Sequence, residues 1–244
     1  MLSYEIYTDI GDCPVNEDSV CVPEGTAPVQ CFAVADGLGG HAGGEIASRL
    51  VTDYCLTHAA QMEALTPEGL EQLFVGAQNE LMAGQKANGS EKDMKTTLTV
   101  LLYDGKTAVW GHVGDTRLYH FHKGKLLSRT LDHSVPQLMV RLKEIKPEQI
   151  RFHEDRNKLL KVMGVPWDNP MYEIDCKGTK LRRGDWVLIC SDGFWELIDE
   201  TEMQKILSQK QPVKEALAQM VQHVRQNGAE RFKDNITAIL IRND

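Results

Sequence analysis

Four aspartates stand where an apolar run stops or starts: Asp36 after Cys-Phe-Ala-Val-Ala, Asp115 after Trp-Gly-His-Val-Gly, Asp192 after Trp-Val-Leu-Ile-Cys-Ser, and Asp234 just ahead of Asn-Ile-Thr-Ala-Ile-Leu-Ile. One aspartate in such a place commonly just caps a turn. The group gains weight from its pairing. An antiparallel hairpin of Ser19–Val22 with Val29–Ala35, across the Pro23–Pro28 loop, sets Glu17 and Asp18 beside Asp36. Pairing Trp186–Cys190 with Ile236–Ile241 in the same sense sets Asp192 beside Asp234. Carboxylates crowded in this way repel one another unless cations neutralise them. Oxygen donors without thiolates suit Mg²⁺ or Mn²⁺ better than zinc. Five glycines fall in the eight positions from Gly37 to Gly44, where they let backbone approach a ligand closely. His41, in the middle of that loop, is the residue type suited to proton transfer near neutral pH.

The elements that must position these residues are legible as periodicity. Strands are expected at Ser19–Val22, Val29–Ala35, Thr96–Tyr103, Thr107–Val113, Arg117–His122, Trp186–Cys190 and Ile236–Ile241, each short, rich in Val, Ile, Leu or Thr, and bounded by Gly, Asp or Pro. Helical periodicity covers Glu45–Ala60, Pro67–Gln85, Thr201–Gln209 and Val213–Asn227. Strands follow strands across short turns such as Asp104-Gly105 and Lys123-Gly124, which favours antiparallel sheets covered by helices over a doubly wound parallel sheet. No repeat or linker divides residues 1–244, so a single domain is expected. Residues 134–169 stand apart as a polar stretch without a strong strand, holding seven bases against five acids. Such a stretch either faces an anionic substrate or forms a solvated, charge-laced surface.

Composition excludes several classes. With 27 Lys and Arg against 35 Asp and Glu the formal charge is −8, which argues against non-specific nucleic-acid binding. No run approaches the ~18 apolar residues that span a bilayer. The start MLSYEIYTDIGD has acids where a signal peptide has bases, so a cytoplasmic protein without membrane contact is expected. The six cysteines are scattered without a C-x-x-C pair, and neither a disulfide nor a zinc–thiolate site is expected.

The segments VNEDS (15–19), VADGLGGHAGGEIAS (34–48), TTLTV (96–100), GHVGDTRLY (111–119), DHS (132–134), GDWVLICSDGFWEL (184–197) and DNITAILI (234–241) together resemble the type 2C family of metal-dependent protein serine/threonine phosphatases, in its compact bacterial form. The resemblance implies an α+β fold: a four-layer α-β-β-α sandwich of two packed antiparallel sheets flanked by helices, with the metal centre at one end. It implies that Asp36 bridges two Mn²⁺ or Mg²⁺ ions, that the Gly37 carbonyl completes one site, and that Asp192 and Asp234 ligate the other. Glu17, Asp18 and Asn235 would hold metal-bound waters or support the ligands. Asp115 would help bind a third, weaker ion, and His41 would act as general acid. The implied reaction is hydrolysis of phosphoserine and phosphothreonine in proteins by metal-activated water, without a phosphoenzyme. Implied partners are phosphoproteins and a cognate Ser/Thr kinase, the chain itself being a monomer, and residues 134–169 correspond to the family's mobile flap.

One position departs from the pattern. The family carries an arginine that clamps substrate phosphate where this chain has Cys13, and cysteine offers no bidentate fork. Lys92, Lys95 or a base of the 134–169 stretch would have to substitute, or phosphate binding is weakened. The alternative function is a metal-binding regulatory or adaptor module that turns over slowly. Rival chemistries have weaker footing. Cys176 and Arg182 fit C-x₅-R, but a strand rather than a helix follows the arginine. His120 and His122 share one strand face without a third ligand nearby in sequence, so an exposed face is expected. Ser191 sits in no nucleophile motif.

Overall fold

The computed structural model describes residues 2–23, 25, 27–39, 43–89, 93–175 and 177–244. Its strands are β1 (Leu2–Asp9), β2 (Asp18–Cys21), β3 (Gln30–Leu38), β4 (Lys95–Thr96), β5 (Leu98–Tyr103), β6 (Thr107–Val113), β7 (Arg117–His122), β8 (Lys125–Arg129), β9 (Glu173–Ile174), β10 (Thr179–Lys180), β11 (Asp185–Cys190) and β12 (Ile236–Asn243). Its helices are α1 (Gly43–Ala59), α2 (Pro67–Asn88), α3 (Val135–Arg141), α4 (Asp192–Trp195), α5 (Glu200–Leu207) and α6 (Val213–Asn227), with a 3₁₀ segment at Pro147–Phe152. One sheet runs β1-β12-β11-β7-β8. The other runs β10-β6-β5-β3-β2, with β4 added to β3 and β9 to β6. Every pairing among the described strands is antiparallel.

The two-residue period of a strand divides these sequences between layers. Phe32, Val34, Leu101, Val187, Ile189, Ile239 and Ile241 point between the sheets. Cys31, Ala33, Ala35, Val100 and Leu102 point the other way, against Val51, Cys55, Leu70, Phe74 and Leu81 of α1 and α2. On the far side Trp186, Leu188, Cys190, Ala238 and Leu240 meet Met203, Ile206, Leu217, Met220 and Val224 of α5 and α6. The result is the expected four-layer sandwich, each buried aliphatic side chain contributing about 1.5–3 kcal/mol of transfer free energy. No described helix is long and apolar enough to cross a membrane.

Sequence periodicity located the strands that pack on both faces and overlooked others. The strands at Thr107–Val113 and Arg117–His122 fall as expected. β1 reads polar because most of its residues are only half-buried at a sheet edge, and β8, β9 and β10 are largely exposed or two residues long. The expected single strand Thr96–Tyr103 is interrupted at Thr97 without loss of register. There the Thr97 N–H still donates to Asp36 O at 2.8 Å, while its hydroxyl accepts the Asp36 N–H at 2.9 Å. The 134–169 stretch does lack named strands, but it starts with α3 and is tied back by isolated bridges of Ser134 to Leu159 and Thr96 to Met163.

Candidate metal centre

The register of β2 against β3 sets Asp18 directly opposite Asp36, as the expected hairpin requires. β11 pairs with β12 through Cys190 and Ala238, so Asp192, just past one strand, lies near Asp234, just ahead of the other. These ends meet at one edge of the sandwich. A cavity of about 480 Å³ opens there, lined by Glu17, Asp36, Gly37, Asp115, Asp192, Asp234 and Asn235 together with Cys13, Asn157 and Leu159. Two separate carboxylate pairs from the sequence thus become one cluster. No Lys, Arg or His is among the described residues lining it.

Several of the acids are held by hydrogen bonds to neighbouring elements. Asp36 is anchored by Thr97, and its carbonyl also accepts the Thr96 hydroxyl at 2.8 Å. Asp18 Oδ2 accepts the Ser191 hydroxyl at 2.8 Å, and Ser191 Oγ accepts the Thr237 N–H at 3.0 Å, which ties β2 to the β11–β12 pair. Asn235 fastens the loop before β2. Its Oδ1 accepts the Glu17 N–H at 2.7 Å, and its Nδ2 donates to the carbonyls of Ile10 and Val15 at 2.8 and 3.1 Å. Asp115 is fixed through its carbonyl, which accepts the Trp195 indole N–H at 3.0 Å. The Arg117 guanidinium stacks 3.4 Å above that indole and makes a buried bidentate bond to Asp132, at 2.8 and 2.6 Å. Gly37 tolerates no side chain, because a Cβ there would collide with the backbone of Gly44 and Glu17.

The electrostatics are those of a site that lacks counter-charge. Burial, reinforced by Asp18, Asp192, Asp115 and Asp234, holds the Asp36 carboxyl well above the ordinary range. Burial and then Asp115 and Asp234 do the same to Asp192. Burial pushes Asp18 up to about 6 and Asp115 up to about 7, the latter against the pull of Arg117. Asp18 Oδ1 is buried without a hydrogen-bond partner among the described residues. An orphaned carboxylate oxygen beside a cavity lined by five acids is what hard divalent cations relieve, so the residues present fit Mn²⁺ or Mg²⁺.

His41 lies outside the described residues, as do Lys92 and Cys176. Lys95, in β4, is not among the lining residues. Arg182 is exposed and leads into β11, so the C-x₅-R spacing has no helix N-terminus behind it. The exposed face expected for His120 and His122 is a correction. His120 is buried, and the two rings bracket the Asp185 carboxylate at 3.2 and 2.5 Å because β7 and β11 pair at that point. Sequence reasoning missed Ser191, Thr97 and Trp195 as supports. Their one signal was position, next to an aspartate or within a matched segment.

A second grouping of potential ligands, His112, His133 and Glu173, lies under the 134–169 stretch. Its geometry is that of two stacked imidazoles, each tied to backbone, beside one carboxylate. The two rings stack nearly parallel, 4.5 Å apart, so no single ion lies in both ring planes. His133 Nδ1 accepts the Gly114 N–H at 3.2 Å, which leaves the ring proton on Nε2, facing Glu173 at 3.2 Å.

Residues 14–240 match the family model described as protein phosphatase 2C. The chain is 31% identical to the serine/threonine phosphatase stp of Listeria monocytogenes serotype 4b (strain F2365), over 94% of this chain and 90% of that protein. Its fold superposes with a TM-score of 0.88 on the crystal structure of serine/threonine phosphatase Stp1 from Staphylococcus aureus, at 26% identity, covering 100% of this chain and 96% of the other. It also resembles the catalytic domain of the serine threonine protein phosphatase PstP in complex with 2 manganese ions, with a TM-score of 0.82 and 26% identity over 99% of this chain and 97% of that one.

Proposed function

This chain belongs to the protein phosphatase 2C family, and from that premise we propose that the acidic cavity is its catalytic centre, with Asp36, the Gly37 carbonyl, Asp192 and Asp234 as the metal ligands. The enzyme is a metal-dependent protein serine/threonine phosphatase whose substrates are phosphoproteins and whose cofactors are Mn²⁺ or Mg²⁺. Bound divalent cations supply Lewis-acid activation of water and neutralise the phosphoryl oxygens, which is how an acidic protein accepts a dianionic group. The chain's own residues do the rest. Asp18, oriented by Ser191, and Glu17, held in place by Asn235, offer acceptors to waters at the edge of the site. Asp115, on its Trp195 support, is the ligand for a third, weaker ion. His41, assigned from its motif, delivers a proton to the departing serine or threonine oxygen. The observation that carries this reading is the convergence of Glu17, Asp36, Asp115, Asp192 and Asp234 on one cavity without a basic lining residue among those described.

The same premise extends to the finer features of the enzyme. Residues 1–244 act as one catalytic domain, and 134–169 as the flap beside the cavity, a role supported by Asn157 and Leu159 among the lining residues. We read the protein as a cytoplasmic, monomeric bacterial signalling enzyme that opposes a cognate Ser/Thr kinase, supported by its bacterial relatives and scattered cysteines.

The test is hydrolysis of p-nitrophenyl phosphate and of a phosphothreonine peptide with Mn²⁺ and with EDTA, beside Asp192→Asn. Turnover that needs Mn²⁺ and falls at least about 100-fold in the variant is expected. Turnover that survives EDTA but is lost in Cys176→Ser would replace this reading with thiol chemistry.

A further inference from the structure

A groove of about 500 Å³ runs away from the metal centre and shares Asp192, Asp234 and Asn157 with it. Its outer walls are Arg151, Phe152 and Arg156 on one side and Arg231, Phe232 and Lys233 on the other. The first set comes from the 3₁₀ segment and the turn after it. The second comes from the loop between α6 and β12. Phe152 is 67% exposed and Phe232 72% exposed, the two highest values among the described large hydrophobic side chains. Both sit on this one groove. Leaving two aromatic rings in water beside an active cavity is costly without an occupant.

The cations divide into two kinds. Arg151 is committed to Glu200 at 2.7 Å and to the carbonyls of Trp195 and Ile198, Arg156 to Glu196 at 2.9 Å, and Lys233 to Asp12 at 2.9 Å. Arg231 makes no ion pair among the described residues, and its guanidinium stands 6.0 Å from the centroid of the Phe152 ring. A guanidinium without an ion pair, beside one ring and on a groove that carries a second, is a receptor for a carboxylate with an apolar neighbour.

We propose that this groove receives the residues that flank the phosphorylated one in a substrate protein, and that it selects flanks carrying an acidic and an apolar side chain. The inference rests on the phosphatase reading and deepens it. The groove shares Asp192, Asp234 and Asn157 with the metal centre, so a peptide whose phosphate enters the acidic cavity has its flanking residues within reach of it. Arg231 takes the acid, while Phe152 and Phe232 cover the apolar side chain.

The experiment uses the Mn²⁺-loaded enzyme, p-nitrophenyl phosphate, and three phosphothreonine peptides that differ only in flanks of Asp and Leu, of Ala, or of Lys. The readout is kcat/KM on each peptide divided by that on p-nitrophenyl phosphate, whose leaving group ends at one ring and reports the metal centre. The Asp/Leu peptide should exceed the Lys peptide by about fivefold, mainly through KM. Arg231→Glu should reverse that order, and Phe232→Ala should shrink the lead of the Asp/Leu peptide over the Ala peptide. Turnover with a ratio indifferent to the flanks, or a preference that persists in both variants, would overturn this inference alone. So would a Phe232→Ala enzyme with unchanged preference but a smaller mass by light scattering, which would assign the rings to self-association. No turnover of any of the four substrates would overturn the phosphatase reading and this inference with it.

Discussion

Cys13 shows how one side chain can leave a site intact and still change what it binds. Its thiol donates to Asp234 Oδ1 at 3.3 Å, and burial together with Asp234 pushes it up to about 11, so at neutral pH it is a neutral donor on the rim of an acidic cavity. An arginine in its place would set a bidentate cation against substrate phosphate. Cys13→Arg should therefore lower KM for p-nitrophenyl phosphate about three- to tenfold with little change in kcat, as read from steady-state kinetics with Mn²⁺. An unchanged KM would mean that another base has replaced the lost clamp. At this scale the acids themselves were legible, because an aspartate that ends a hydrophobic run cannot be part of the core. Ser191, Thr97 and Trp195 were not. A serine that bonds a carboxylate 173 residues away looks, in sequence, like any other buried serine.

Elements explain the corrections. The pairing of β7 with β11 turns His120 and His122 from an apparent surface pair into the two arms of a bond to Asp185. Strand period gave the shared face but not the partner that covers it. Similarly, β6 and β9 bring His112 and Glu173 into register, and the segment after β8 lays His133 on top of them. The groups that face His133 are His112, Glu173, Arg141 and Lys161, the last two lying 3.7 and 3.8 Å from the Glu173 carboxylate. Burial, then His112 and Lys161, push the His133 imidazole down to about 4. A histidine whose folded value lies below its unfolded one stabilises the fold above about 6.5, and that contribution is lost as pH falls toward 4. Tm should thus drop by about 5 °C more in the native protein than in His133→Gln between pH 7 and pH 4.5, measured by differential scanning fluorimetry. Parallel curves would show that the cluster carries no such linkage. The ring sits at the root of the 134–169 stretch, so the same titration should loosen that stretch first.

Across the whole molecule, the cavity draws its acids from both sheets and from positions as far apart as Glu17 and Asp234. Repulsion in the metal-free cluster therefore opposes closure of the sandwich itself, and cations that relieve it act on global stability. Mn²⁺ at about 100 times its dissociation constant adds ~2.7 kcal/mol per site, which should raise Tm by roughly 5–10 °C over the EDTA-treated protein. Asp36→Asn should blunt that rise, and identical Tm values in Mn²⁺ and EDTA would remove these acids from metal binding. Antiparallel sheets covered by helices were readable from the order of strand and helix signals, and the four layers from the family resemblance. The edge strands were not, since strands partly exposed on both faces, or two residues long, carry no apolar alternation. The place of β12 in the sheet has one more consequence, for synthesis. It comes after every other strand in the chain yet lies between β1 and β11, and Asp234 shortly precedes it. A nascent chain that has already made β1 and β11 holds two unpaired edges and an incomplete set of acids until Asp234 and β12 have been added. The metal centre therefore cannot assemble before Asp234 and β12 have been synthesised, and the sheet edges stay open until that strand arrives.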